Sequence, residues 1–552
     1  MLLLGLEMSI ASVLASVAVI LILRSGLQLW QLKSKARGPV ACFYAPLLIR
    51  PFRLMSELIP NIRHINVGLM DQIWPSKFDL FQEAGSSVLV FSGLLPTPGL
   101  QGIVGDADAA RALFNNKLAW GKPIQDYSVL TFFGDNIITT EKEQWRRHRR
   151  LTSPSFSEKN NAAVWRDTQG IMKEWFGTLS AHDDGEGSAL DDDTVATTLR
   201  LTLMIISAAA FGQRFPWPSA RKTSDVPPPG RKLAFITALQ GVVDGTLAKL
   251  ILPKFAYRLP LKYPQRVQLC FSELEAHLHG MIEERKDEKA GGVERTDLFS
   301  ALLEGVADDE GAAVLTTEEL VADMWIFLLA GHETTAHTLA FLLTLLALYP
   351  EHQQILHEEA SELGEHSTYD DFSSFPYALA TMQEALRLYT PVQLIPKVAL
   401  EDAVLPAHTT PSSPDEEPRP TEIFVPKGTR VGVLSSAIHY NPAYWREPFE
   451  FRPSRFIDNE EGKWNRDAFV AFSGGARGCL GQRFALVESV AMISQLLLHY
   501  TIHVPENLQD DYARQEGESE RDRRERIFKP KGGLTLTPSS KLPLVFKKRA
   551  SS

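Results

Sequence analysis

Cys479 is the residue with the most chemical potential in the chain. It is a lone cysteine in the glycine-rich run Phe472 to Gly481, with Arg477 two residues before it. Glycines let a backbone turn tightly and approach a flat ligand where a side chain would collide. A thiolate in such a loop is suited to be the single axial ligand of a haem iron. A free cysteine in a loop is also, by itself, an ordinary packing residue. The pattern around Cys479 therefore has to be weighed with three others. Ala330-Gly331-His332-Glu333-Thr334-Thr335 interrupts a long apolar stretch with polar and ionisable groups. Such groups are costly inside a helix unless they find partners, and glycine there costs about 1 kcal/mol relative to alanine. Glu384 and Arg387 lie three apart, on one helix face. Trp145 and Arg149 lie one helical turn apart in a basic cluster that also holds Arg146, Arg147, His148 and Arg150.

His332-Glu333 also begins a string that resembles a zinc-protease motif, with His337 as the second histidine. The two histidines are five residues apart, which turns them about 140° from each other around a helix. They do not face one metal, and the zinc reading is rejected.

The elements that must hold these residues are mostly helical. Thr316 and Glu319 form a capping-box pattern, and nothing breaks the helix they open before Pro350. That predicts about 30 helical residues, about 45 Å long, crossing the middle of the molecule. Pro350 suits the first turn of the next helix. Ser87 to Phe91 reads as a strand, Gly102 to Val104 as the start of another, and Asp106 to Asn115 as a short helix. Val195 to Ala210 reads as a buried helix, and Lys262 to Lys289 as a long amphipathic one. Ser219 to Arg231 reads as a surface loop. Ala407 to Thr421 is rich in proline, serine, threonine and acid, and is expected to be a solvent-exposed insertion. Gln509 to Arg526 is expected to be a charged, solvated loop.

Phe472, Gly475, Arg477, Cys479 and Gly481 meet the pattern F-x-x-G-x-R-x-C-x-G. The run resembles the haem-binding signature of the cytochrome P-450 family. The Ala330 to Thr335 run resembles that family's oxygen-activation motif, and Glu384 to Arg387 its E-x-x-R motif. Arg455 matches the arginine that completes a buried triad with them, although Ser454 stands where the family usually has glutamate. Trp145 and Arg149 resemble its propionate-binding helix. Five motifs in the family's order span Trp145 to Gly481.

The resemblance implies a mainly α fold with small β-sheets, with haem b between the long central helix and the cysteine loop. It makes Cys479 the axial iron ligand and Trp145, Arg149, Arg477 and Lys397 donors to the haem propionates. Phe472, Gly475 and Gly481 would shape the loop, and Glu384, Arg387 and Arg455 would be structural. Ala330 and Gly331 would leave room for dioxygen, Thr334 would bond the bound oxygen, and Glu333 would feed protons. Trp145 and Arg149 are expected to point inward and the other basic residues of the cluster outward. His439 is expected to be a packed loop histidine, with a haem-edge role as the alternative.

The reaction implied is monooxygenation of a hydrophobic substrate, with Ile124 to Phe133, Phe327 to Ala330 and Val392 to Ile395 as pocket-lining segments. Fungal terpenoid or other secondary metabolism, fatty-acid hydroxylation and xenobiotic oxidation all fit. No flavin or nicotinamide motif is present, so electrons are expected from NADPH through a cytochrome reductase, with a cytochrome b-type protein as a further donor. The rival functions are a haem-thiolate isomerase or peroxygenase, which often lacks the acid–threonine pair, and a non-catalytic haem protein.

The 552 residues are 44% hydrophobic and 22% charged, enough for a large globular core. The net charge of −10 argues against nucleic acid as a partner. Three widely spaced cysteines, Cys42, Cys270 and Cys479, form no disulfide framework. Met8 to Leu23 is uncharged, and Lys33, Lys35 and Arg37 follow it. That charge asymmetry favours a retained membrane anchor over a cleaved signal. The expected organisation is an anchor over 1–30, a linker over 31–60 and a catalytic domain over 61–552. The anchor would be a single pass in the endoplasmic reticulum membrane, with the domain in the cytosol.

Overall fold

The computed structural model describes residues 74–550, apart from 94–98, 182–184, 186, 216, 218–225, 294, 296, 308–314, 412–415 and 459–461. The expected anchor and linker lie outside the described residues.

Strands β1 (Val88–Gly93) and β2 (Gly99–Val104) form an antiparallel pair, Val88 opposite Val104. The second strand thus begins earlier than Gly102. Their sheet is completed from far along the chain by β3 (Trp120–Gly121), β5 (Leu394–Ala399) and β8 (Arg430–Leu434), in the order β1-β2-β8-β5-β3. Between them in sequence, β4 (Ser188–Asp191) pairs with the C-terminal β10 (Leu544–Lys548), which pairs with β9 (Tyr500–His503). β6 (Ala403–His408) and β7 (Pro420–Val425) make a two-stranded hairpin.

The helices that carry the site are α1 (Ala107–Asn115), α2 (Lys142–Thr152), α3 (Glu158–Ala181), α4 (Thr194–Phe211), α5 (Phe235–Ile251) and α6 (Lys262–Ala290). They continue with α7 (Thr317–Leu348), α8 (Glu351–Leu363), α9 (Pro376–Leu388) and α10 (Gln482–His499). Asp106 caps α1, its carboxylate accepting from the backbone of Asp108 and Ala109. The capping box of Thr316 and Glu319 opens α7 as its sequence predicts. Pro350 is the residue just before α8.

α7 is the central helix. It packs on α4, α9 and α10, while α3 packs on α4 and α10. α4 and α7 are each long and apolar enough to cross a membrane, but both are core helices, with most of their residues buried in the protein. Gly331 explains how closely α4 and α7 meet: a Cβ there would overlap the Ile206 side chain. The glycine therefore serves helix packing, a role that its motif does not announce.

Two expected loops are structured. Ala407 and His408 belong to the β6–β7 hairpin and Thr410 is buried, so the 407–421 segment is not simply a solvent-exposed insertion. The charged 509–526 segment holds the short helix Gln509–Tyr512 and the beginning of a second, Glu520–Phe528. Arg524, within it, is buried beneath Tyr349, Tyr389 and Tyr440, and Glu525 pairs with the buried Lys77 at 2.6 Å. Charged residues can be buried when each finds a partner. These partners lie on distant segments of the chain, so local composition gives no sign of them.

Candidate active site

Cys479 sits at the end of a loop pinned from several sides. Its amide donates to the Phe472 carbonyl at 2.9 Å. Gly475 adopts φ +62°, and a Cβ on it would collide with the Phe114 carbonyl of α1. Only glycine meets both demands. His439 is fully buried, stacks on Phe469, and its Nε2 accepts from the Val470 amide at 2.9 Å. Its Nδ1 lies 2.7 Å from the Thr390 hydroxyl. His439 is thus packed as its sequence context suggests, although it ends the short helix Ser435–His439 rather than lying in a loop. Gly481 caps α10, so the loop feeds directly into a core helix.

The Cys479 side chain is accessible, although glycines of its loop pack closely against Phe114. Burial pushes its thiol up, while the Gly481 amide and the Arg149 guanidinium pull the other way. A cationic metal at the sulfur would complete the ionisation, since a coordinating thiol is deprotonated outright. On α7, Ala330 is exposed, and Phe327, Gly331, Glu333 and Thr334 around it are half-buried. The sulfur, the exposed alanine and the cations described next fit a flat, dianionic iron macrocycle.

α2 ties the cysteine loop to the central helix. Arg149 donates to the Gly478 carbonyl at 3.1 Å and so braces the ligand loop. Arg477 stacks on Trp145 at 4.2 Å, bonds the Thr140 carbonyl at 2.9 Å and pairs with Glu141 at 2.9 Å. Lys397 is buried beside it, over the Phe114 ring. Lys122 is a fourth cation here that the motifs do not reveal. It donates to the Ile138 carbonyl at 2.6 Å and lies over the Tyr127 ring. Burial, and then Arg477, push its ammonium down to about 7. Proximity to Arg477 is a tertiary fact, and no spacing in the sequence signals it.

Arg147 and His148 do not point outward as expected. His148 is fully buried and its Nδ1 meets Asp323 of α7 at 2.7 Å. The other oxygen of Asp323 accepts from the Ile137 amide at 2.8 Å. Arg147 pairs with Glu319, the capping residue of α7. Arg147 and His148 therefore clamp α2 to the start of α7, while Arg146 and Arg150 are exposed as expected. Phe132 and Phe133 pack on Phe271 of α6, and Phe133 also on Trp325.

The polar run on α7 is held by hydroxyls. Thr334 Oγ1 donates to the Ala330 carbonyl at 2.7 Å, and Thr202 of α4 donates to the His332 carbonyl at 3.1 Å. Glu333 accepts a hydrogen bond from Thr535 at 2.9 Å, and burial pushes its carboxyl up. Beneath the cysteine loop, Glu384, Arg387 and Arg455 form the expected buried triad.

Among the described residues, one cluster has metal-like spacing, Asp106, Asp108 and His408. Asp106 is already saturated there by the α1 cap, Ser87 and His408. It is a capping arrangement.

The fold is a helical body with small sheets, and its site is a cysteine loop that α2 ties to a central helix with a polar break. A sequence profile described as Cytochrome P450 matches residues 101–518. The cytochrome P450 monooxygenase 124 of Postia placenta is 36% identical over 485 residues, covering 86% of this chain and 88% of that protein. The cytochrome P450 monooxygenase prx9 of Penicillium rubens is 27% identical, covering 88% and 86%. The crystal structure of the cytochrome P450DA haem domain superposes with a TM-score of 0.69 at 21% identity, covering 93% of this chain and 98% of that one. The chain belongs to the cytochrome P450 family. It is a monooxygenase, an oxidoreductase whose family uses a haem-thiolate iron.

Proposed function

We propose that this protein is a membrane-anchored, haem-thiolate monooxygenase that hydroxylates or epoxidises a hydrophobic substrate. In this reading it lies on the endoplasmic reticulum, takes electrons from NADPH through a reductase, and serves fungal secondary metabolism. The observation that carries the catalytic part is the accessible sulfur of Cys479, in a loop that α2 ties to the central helix bearing Glu333 and Thr334. The fungal relatives support the organism class, and the charge asymmetry after Met8 to Leu23 supports the anchor.

Bound haem would supply the oxygen-activating chemistry. The chain's own residues divide the remaining work. Cys479 would hold the iron, with Arg149 bracing the loop through Gly478. Arg477, Trp145, Lys397 and Lys122 would receive the two propionates. Phe472, Gly475 and Gly481 would fix the loop's path. Glu333 would hold a proton in reserve, the general-acid role, and Thr334 would order the water that carries it inward. Retention of the acid–threonine pair favours a monooxygenase over an isomerase or peroxygenase.

The test is spectroscopic, then metabolic. Reduced protein under carbon monoxide should show the thiolate-type Soret band, and Cys479→Ala should abolish it; a histidine-type band in the native protein would overturn the haem-thiolate assignment. Turnover that depends on NADPH and added reductase supports the monooxygenase reading, and metabolite profiling of a host expressing both proteins identifies the substrate.

A further inference from the structure

Glu333 is held from outside its own helix, by the C-terminal turn. Backbone bonds between Lys531 and Thr537 close this turn, at 2.8 and 3.0 Å. The Leu536 amide anchors it to the Pro391 carbonyl at 2.8 Å. The turn places the buried Thr535 so that its hydroxyl donates to Glu333 Oε1 at 2.9 Å. A threonine hydroxyl has one proton, which is spent in that bond. Its oxygen then needs a donor, and His337 Nδ1 lies 3.1 Å away. Thr537 Oγ1 lies 3.2 Å from the same nitrogen. With the imidazole proton on Nδ1, donation runs in one direction, from His337 to Thr535 to Glu333. This also accounts for His337, which is buried one helical turn beyond Glu333.

The two oxygens of Glu333 are therefore unequal. Oε1 accepts from Thr535, while Oε2 is buried with no protein partner. An oxygen that accepts a hydrogen bond along its lone pair is the carbonyl-like oxygen of a protonated carboxyl, so the acidic proton falls to the other one. We propose that Thr535, oriented by His337, is a positioning residue that assigns the transferable proton of Glu333 to Oε2. The assignment deepens the proposed proton-delivery role of Glu333 and rests on it. The step moves one proton from Oε2, exposed by rotation of the buried carboxyl, to a water, and Glu333 regains one from solvent; Thr535 and His337 keep theirs.

The experiment uses the full-length, haem-loaded protein with Thr535→Val and Thr535→Ser, each first checked for an unchanged carbon monoxide Soret band. The infrared carbonyl band of protonated Glu333 is identified by its loss in Glu333→Gln. Thr535→Val should move this band to higher frequency, because the carbonyl loses its donor, and Thr535→Ser should restore it. Thr535→Val should also raise the ratio of peroxide to product about five-fold, the worth of one hydrogen bond, with rescue by serine. An unmoved band would overturn the positioning role. A moved band with unchanged coupling would show that the hold exists but does not serve proton delivery, and would overturn the assignment. Unchanged coupling in Glu333→Gln itself would instead refute Glu333 as the acid, whatever the band does in Thr535→Val.

Discussion

Glu384 and Glu333 are both glutamates on core helices that pack against each other, α9 and α7, and the protein completes one and leaves the other incomplete. Glu384 is fully buried and accepts from Arg387 at 2.7 and 2.8 Å, from the Arg452 amide at 2.8 Å and from Arg455 at 3.1 Å. Arg387 spends its remaining protons on the carbonyls of His439, Pro448 and Glu450. Every strong donor and acceptor is matched, so the charge is fixed and nothing remains for a ligand. Glu333 has one donor and one orphaned oxygen. A saturated network specifies structure, and an unsaturated one keeps a proton available for chemistry.

The contrast is broken most forcefully at Glu384. Glu384→Ala should cost about 3–5 kcal/mol, since it strands two buried guanidinium groups. Urea denaturation measures this, and a loss under 1 kcal/mol would mean that the triad is not the structural brace. Acid should act on a comparable scale. Burial pushes His439 down to about 3 and His337 down to about 4, from 6.5. Their neutral forms contribute stability that is present above pH 6.5 and lost as pH falls towards these values. Each should cost about 1.4 kcal/mol per pH unit in that range. His337→Gln should flatten the acid limb of the stability curve, and an unchanged slope would contradict the depressed value.

Thr334→Ala should be milder for the fold, at about 1 kcal/mol. Its effect should be on coupling: the thiolate spectrum persists while NADPH is spent on peroxide. Fully coupled turnover would remove Thr334 from the proton path. Glu333→Gln should be smallest in stability, within about 0.5 kcal/mol near pH 4.5, because its site already favours the neutral carboxyl. Since burial raises the Glu333 value above 4.5, the native protein should lose stability relative to Glu333→Gln as pH rises from there. A native protein that gained stability instead would place a stabilised anion at this position.

What the sequence made legible follows from range. Cys479 with its glycines, Glu384 with Arg387, and the Thr316 cap are patterns that a few consecutive residues complete. α7 could be drawn almost to its ends because its cap and its terminating proline are local. His148 finds Asp323, Lys122 finds Arg477, and Thr535 finds Glu333 only after the chain has folded. The same limit applies to Arg524, whose charge suggested solvent and whose partners are tyrosines on distant segments. Gly331 shows a subtler case: its motif says nothing of Ile206, whose close approach from α4 also requires a glycine there.

The order of strands in the main sheet bears on how the protein is made. Gln101 in β2 pairs with Arg430 in β8, and Trp120 in β3 with Ala399 in β5. Early strands have no sheet to join until residues beyond 430 have left the ribosome, and closing so long a loop is slow. β1 and β2 wait meanwhile as a hairpin with an unpaired edge, the kind of surface that invites aggregation. The cysteine loop leaves the ribosome later still. Haem can therefore be captured only when translation is nearly complete, so the yield of active enzyme in a recombinant host should depend on slow synthesis and on haem supply at that final stage.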